Sequence, residues 1–403
     1  MRILICPDKF AGTLSATEVA TAVAAGWSEV APGNQCVLRP LSDGGPGFVG
    51  VLATTLGGRR VPVPTTDPLG RPVTGEILLV GQDASTVTDA GRATVSGAGQ
   101  TAYVESVQAC GLHLLGQTER DPKHTTSYGL GLLVTAAVEA GVRHIVIGLG
   151  GSGTNDGGAG LLASLGAAPL DAAGYVLPYG GAALCDVAAL SGSPRLRDAA
   201  LVAATDVDNP LTGLHGASSV FGPQKGASRS DVLLLDAALE RFAAVLQKTL
   251  PSCPPGLAAL PGSGAAGGLG AAILALGGRH ESGIGLVSRL VGLDTALDEA
   301  DLVITGEGSF DHQSLRGKVV GGVAAAARDR GLPCVVLAGR VAVGRREEAE
   351  VGVTASYSLV DHFGGEEKGG GQEAMTRPTE GLRELGARLA RQWSRAGSAP
   401  PTA

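Results

Sequence analysis

The chain opens with a short apolar run, Ile3 to Cys6, that breaks at Pro7-Asp8-Lys9. After this loop, Ser15-Ala16-Thr17-Glu18 is a capping-box pattern, and Val19, Val23, Trp27 and Val30 then recur at helical spacing. The pattern predicts strand, loop and helix. A second such unit starts at Val37-Leu38, passes through Leu41-Ser42-Asp43-Gly44-Gly45-Pro46-Gly47 and continues into an apolar segment from Phe48 to Leu56. Near the C-terminus the same pattern returns, with strands over 301–305 and 334–338, a helix over 317–328 and a closing helix over about 380–393. Repeated strand–helix alternation predicts a parallel α/β sheet.

The middle of the chain is richer in turns. Its strand candidates are 77–80, 144–147 and 201–204, and its helices lie near 128–140 and 231–248. We read it as a second α/β (α+β) domain inserted into the first. The expected division is 1–62 plus 293–394 for the discontinuous parallel domain and 63–292 for the insert, with 395–403 as a disordered tail. The loop 364–371 is expected to be mobile and, like the tail, to carry no chemistry.

At 403 residues the chain exceeds what one core usually organises, in keeping with two domains. Gly fills 64 positions and aromatics only 3%, so packing must rest on Ala, Val and Leu with close backbone approaches. A net charge of −7 without a basic run argues against nucleic acid as a partner. The uncharged stretch 249–278 is broken by Pro and Gly, so no membrane span is expected. Six scattered cysteines without a CxxC pair read as reduced thiols of a cytoplasmic protein, and the N-terminal apolar run is too brief for a signal peptide.

The unusual motifs fall at predicted strand ends, where parallel sheets bind ligands. They are Pro7 to Thr13, Ser42 to Gly45, Gly150 to Gly158, Thr205 to Pro210 and Thr305 to Gly308. Small residues let backbone N–H groups approach phosphate oxygens, and neighbouring carboxylates can hold Mg²⁺. Any one of these loops could be an ordinary turn; five at equivalent positions point to phosphoryl transfer. Gly148, Gly150 and Gly153 also match a dinucleotide-binding pattern, a match that so many glycines produce by chance. A P-loop, a protein-kinase motif set, an HExxH and a GxSxG are all absent from the sequence.

Taken together, CPDKFAGTLSA (6–16), LSDGGPG (41–47), TTSYGLG (125–131), GLGGSGTNDGGAG (148–160), TDVDNPLTG (205–213), VFGPQKGA (220–227), PGSGAAGGLGA (261–271), ITGEG (304–308) and SLRGK (314–318) resemble the bacterial glycerate kinase family. The resemblance implies a flavodoxin-like domain interrupted by an inserted domain, ATP and Mg²⁺ as cofactors, and glycerate as the substrate, phosphorylated to 2-phosphoglycerate in preference to 3-phosphoglycerate. Within those motifs Asp156, Asp206, Asp208 and Lys225 are the catalytic candidates, with Asp156 accepting the hydroxyl proton or orienting that hydroxyl. Asp8, Lys9, Gly44, Gly45, Gly151, Ser152, Asn155, Arg316 and Lys318 are candidates for substrate and phosphate, and Asp43 and Glu307 for the metal.

Two positions depart from the family pattern. Ala11 stands where a Lys is usual, with Lys9 two residues earlier, and Pro46 replaces a Glu. A nicotinamide-dependent hydroxy-acid oxidoreductase and a non-catalytic phosphometabolite sensor are the competing readings, and a homodimer is left open.

Overall fold

A computed structural model describes residues 1–81, 99–315 and 319–394. In chain order its strands are β1 (Arg2–Ile5), β2 (Gln35–Leu38), β3 (Arg59–Thr66), β4 (Pro72–Val80), β5 (Thr101–Glu105), β6 (His144–Gly148), β7 (Pro169–Leu170), β8 (Ala189–Leu190), β9 (Ala200–Ala204), β10 (Arg279–Glu281), β11 (Leu302–Phe310), β12 (Cys334–Val341) and β13 (Ala355–Ser358).

Five of these form an all-parallel sheet in the order β13-β12-β11-β1-β2. Counted within the sheet, this is the flavodoxin order 2-1-3-4-5, whose direction of winding reverses between β1 and β11. Both faces are buried, as parallel sheets require. Along β1, Ile3 and Ile5 face a core with Val19, Val23, Trp27 and Leu385, while Leu4 and Cys6 face one with Val303, Val320 and Val323.

The second sheet has the order β10-β9-β6-β5-β4-β3, with β10, β9, β6 and β5 parallel and the β3–β4 hairpin added antiparallel. Its alternation is equally regular. Ile77, Ala102, Ile145 and Leu201 point to one side; Leu78, Tyr103, Val146 and Val202 point to the other and join the core of the first sheet. Helices Phe48–Leu56 and Gly283–Leu290 lie in that shared core, so the two sheets are packed together. Strand β3 runs through the sequence boundary expected at 62/63, because its pairing with β4 begins at Arg59. The hairpin's first half escaped sequence reading because Pro62 and Pro64 argue against a strand; they are tolerated on an edge.

The capping box forms as expected. Ser15 Oγ accepts from Glu18 N–H, and the Glu18 carboxylate accepts from Ser15 N–H at 2.8 Å. The helix Ala16–Val30 packs on the closing helix Pro378–Trp393 at glycines: a Cβ on Gly26 would lie 1.8 Å from Arg383 O, and one on Gly386 would lie 2.4 Å from Val23 O. Among the described residues no helix is long and apolar enough to cross a membrane.

This contact makes a prediction that runs against helix propensity. An Ala in place of a mid-helix Gly normally adds up to about 1 kcal/mol, but Gly26→Ala should cost about 1–3 kcal/mol because the two helix backbones must separate. Urea denaturation measures it, and a midpoint equal to or above that of the unaltered chain would contradict the packing.

Candidate active site

The switch point of the first sheet carries the first cluster of charge. Cys6 N–H and Asp8 N–H continue the β1–β11 ladder by donating to Ile304 O and Gly306 O, and Thr305 Oγ1 donates to Cys6 O at 2.9 Å. These bonds fix the loop that carries Asp8 and Lys9. Lys9 Nζ lies 3.6 Å from Asp8 Oδ1 and 3.7 Å from Asp43 Oδ1, and Asp43 Oδ1 also accepts from Gly45 N–H at 3.0 Å. All three residues line a cavity of about 610 Å³ together with Ala11, Glu307 and Arg340.

Burial pushes the Asp8 carboxyl up to about 6 against the pull of Lys9, with Asp43 adding a like charge. Burial alone would lower the Lys9 ammonium, but Asp8 and Asp43 outweigh it and raise its pKa. Glu366 and Gly371 complete one wall, and Arg340 pairs with Glu366. The segment expected to carry no chemistry thus lines the cavity. Arg340 lies inside β12, in register with Ser309 of β11; the strand continues past its expected end at 338, and that extension, which brings Arg340 to the cavity, has no signal in the local pattern.

The second sheet meets this cluster through backbone. Gly44 has φ of +89°, and a Cβ there would lie 2.5 Å from Ala204 O; a Cβ on Gly150 would lie 2.8 Å from Gly45 Cα. Side chains at either position would push the loops apart. Pro46 stacks against Gly151, whose Cβ would sit 3.5 Å from the ring, so the replaced family Glu lies at the seam between the loops. The helix Phe48–Leu56 starts there with a left-handed Gly47 and no side-chain cap of its own. Glu105, at the end of β5, supplies the cap by accepting from Gly47 N–H at 2.9 Å and Val49 N–H at 3.1 Å. Sequence reading missed it for lack of a recognised strand at 101–105.

Asp156 is 1% exposed and accepts from Ser127 N–H, Ser127 Oγ, Gly158 N–H and Gly160 N–H at 2.8 to 3.2 Å. Burial raises its pKa against these bonds. The carboxylate therefore ties 125–128 to the start of helix Ala159–Ser164 and does not line the large cavity. Asn155 is buried beside it, with Nδ2 donating to Ser218 Oγ. Lys225, also 1% exposed, donates to Ser152 Oγ at 3.0 Å and Thr154 O at 2.7 Å. Burial lowers its ammonium to about 7, opposed by Asp156 and Cys110.

Asp206 accepts from Ser282 Oγ and from Ile284 N–H at the start of helix Gly283–Leu290, which abuts Asp43 O; Asp208 is exposed. The sequence candidates thus form two groups. Asp8, Lys9, Asp43, Gly44, Gly45 and Glu307 converge at the switch point, and Gly151, Ser152, Asn155, Asp156 and Lys225 gather across the Gly44–Gly150 seam. Arg316, Lys318 and the 395–403 tail lie outside the described residues. No three His, Cys, Asp or Glu side chains among the described residues are grouped to hold a metal ion. After β6 the chain runs as loop over 149–158 before a helix starts at Ala159, so Gly148, Gly150 and Gly153 do not make the strand-to-helix turn of a dinucleotide fold.

Residues 3–394 match the glycerate kinase family. The chain is 40% identical over 370 residues to the glycerate 2-kinase of Escherichia coli K12, covering 90% of this chain and 92% of that one. It is 40% identical over 364 residues to the glycerate kinase of Bacillus subtilis 168, covering 89% and 90%. A crystal structure of a candidate glycerate kinase 2 from Salmonella typhimurium LT2 superposes with a TM-score of 0.77 at 37% identity, covering 98% of both chains. The switch-point fold, its charged cavity and this similarity along nearly the whole length establish that the chain belongs to the glycerate kinase family of phosphotransferases.

Proposed function

We propose that the chain transfers the γ-phosphoryl group of ATP to a hydroxyl of D-glycerate, giving 2-phosphoglycerate. The observation that carries this reading is the convergence of Asp8, Lys9, Asp43 and Glu307 on one cavity at the switch point of a flavodoxin-order sheet. The regiochemistry draws support from the E. coli relative, named a 2-kinase.

The residues present fit Mg²⁺ carried in on the nucleotide. Five carboxylates, Asp8, Asp43, Glu307, Asp311 and Glu366, line the cavity, yet no closed cage of three acids forms among the described residues. That suits an ion that keeps most of its waters and reaches protein through one or two carboxylates plus phosphates. Asp43 and Glu307 would hold it, and it would neutralise charge on the phosphates. Lys9, between Asp8 and Asp43, is placed to grip a phosphate oxygen in the role the family's usual Lys at position 11 leaves open.

In the transfer the substrate hydroxyl oxygen bonds to the γ-phosphorus, the bond from that phosphorus to ADP breaks, and the hydroxyl proton leaves to a base. We assign that base to Asp8, which faces the cavity with a pKa near the working range of a general base. Asp156, with both oxygens occupied by backbone and Ser127 donors, acts as a positioning residue. All six cysteines are free thiols, which supports a cytoplasmic location.

A coupled ADP-release assay should give turnover that requires D-glycerate, ATP and Mg²⁺ together, and ³¹P NMR should identify the 2-phospho product. NAD(H) binding without ATP binding, or ligand binding without turnover, would favour the rival readings. Since Asp8 works deprotonated, kcat/KM should fall as pH drops through about 6, and Asp8→Asn should lose at least about 100-fold in kcat together with that acid limb. An acid limb persisting in the variant would refute the assignment. By contrast, Asp156→Asn should lower stability by about 1–3 kcal/mol, because an amide nitrogen would meet N–H donors, while the folded fraction keeps kcat within about tenfold. A 100-fold loss of kcat at unchanged stability would return the base to Asp156.

A further inference from the structure

Lys225 raises a separate question. Its ammonium is buried at 1% exposure, yet among the described residues it forms no ion pair; both of its partners, Ser152 Oγ and Thr154 O, are neutral. An ammonium has three N–H donors, and these two bonds occupy two of them. Holding a charge away from water is costly unless an opposite charge compensates it. Asp156 acts on Lys225 only through space, and its own oxygens are committed to Ser127, Gly158 and Gly160.

The side chain lines a second, smaller cavity of about 100 Å³, together with Gly150, Gly151, Ser152, Val207 and Phe221. This is about a sixth of the switch-point cavity, a size suited to a small acid and not to a nucleotide. Its lining is mixed in the way such an acid needs, combining Lys225, Ser152 and Gln224 with the apolar Leu149, Val207 and Phe221. Gly150 touches Gly45, which in turn sits beside Lys9 Nζ and Asp43 Oδ1. The loop that carries the switch-point cluster is therefore in backbone contact with the lining of this cavity.

We propose that the cavity at Lys225 is the carboxylate subsite of the acceptor, where Lys225 and Ser152 grip the carboxylate of a small 2-hydroxy acid and present its hydroxyls toward the Asp8–Lys9–Asp43 cluster. This rests on the glycerate kinase reading above. It divides recognition between the two sheets: the first holds the phosphates, and the second selects the acid. Gly151, in the lining, packs against Pro46, which places the departure at Pro46 beside the acceptor.

Steady-state kinetics of the full chain with D-glycerate and with its neutral amide, glyceramide, test the assignment. The unaltered enzyme should prefer glycerate. Lys225→Met should raise KM for glycerate about 10- to 100-fold, the range for losing a bond to a charged group, leave KM for ATP within about threefold, and bring the glycerate-to-glyceramide preference close to one. If that variant does not fold, Ser152→Ala and the cavity-filling Val207→Phe should each raise KM for glycerate at least about fivefold without moving KM for ATP. The groups facing the ammonium are Asp156 and Cys110, so in the unaltered enzyme KM for glycerate should rise as pH climbs through about 7 and the ammonium discharges.

A preserved acid-to-amide preference in Lys225→Met, or a rise in KM for ATP in place of glycerate, would overturn the subsite while leaving kinase activity standing. No glycerate-dependent ADP release from the unaltered chain would overturn both the subsite and the kinase reading.

Discussion

The architecture depends on a contact made without side chains. Where the loop 42–47 of the first sheet meets the ends of β6 and β9 in the second, Gly44 faces Ala204 O, Gly148 faces Gly44 O and Gly150 faces Gly45 Cα, each too close for a Cβ. Backbone-on-backbone packing of this kind is rigid and has few alternatives, since interiors respond to one extra methyl group. It brings two independently wound sheets to a single seam. The shared core of helices Phe48–Leu56 and Gly283–Leu290 reinforces it from beneath.

Charge is arranged around that seam in two distinct ways. At the switch point, Asp8, Lys9 and Asp43 partly compensate one another within 4 Å and border an open cavity, so their protonation can answer to a ligand. Across the seam, Asp156 is saturated by hydrogen bonds and Lys225 is bonded only to neutral groups. The first arrangement suits a group that exchanges a proton during reaction. Of the other two, one holds loops in place and one is suited to an anion.

Much of this was readable in the sequence. The Ser15–Glu18 cap, the helical stripe of Val19, Val23 and Trp27, and four of the five loops at strand ends follow from local chemistry, and the structure realises them; 305–308 instead lies inside β11, whose pairing with β12 carries the strand on to Phe310. What local pattern could not supply was partnership across the fold. Asp156 reads as an acid in a glycine loop, and only the fold brings Ser127 to occupy its oxygens. Glu105 gains its partners only when β5 sets it against the Gly47 and Val49 N–H groups. Arg340 becomes a cavity wall because β11 and β12 stay paired as far as Phe310 and Val341, and Glu366 joins it through their ion pair. Each depends on contacts far apart in sequence, which periodicity cannot register.

The most direct test of a transfer site shared across the glycine seam is a crystal structure with a non-hydrolysable ATP analogue, Mg²⁺ and D-glycerate bound together. The account predicts the terminal phosphate against Lys9 with the metal on Asp43 or Glu307, and the glycerate carboxylate on Lys225 across the Gly45–Gly150 contact. Both ligands bound within one sheet's loops, with the glycerate carboxylate away from Lys225 or the terminal phosphate away from Lys9, would contradict it.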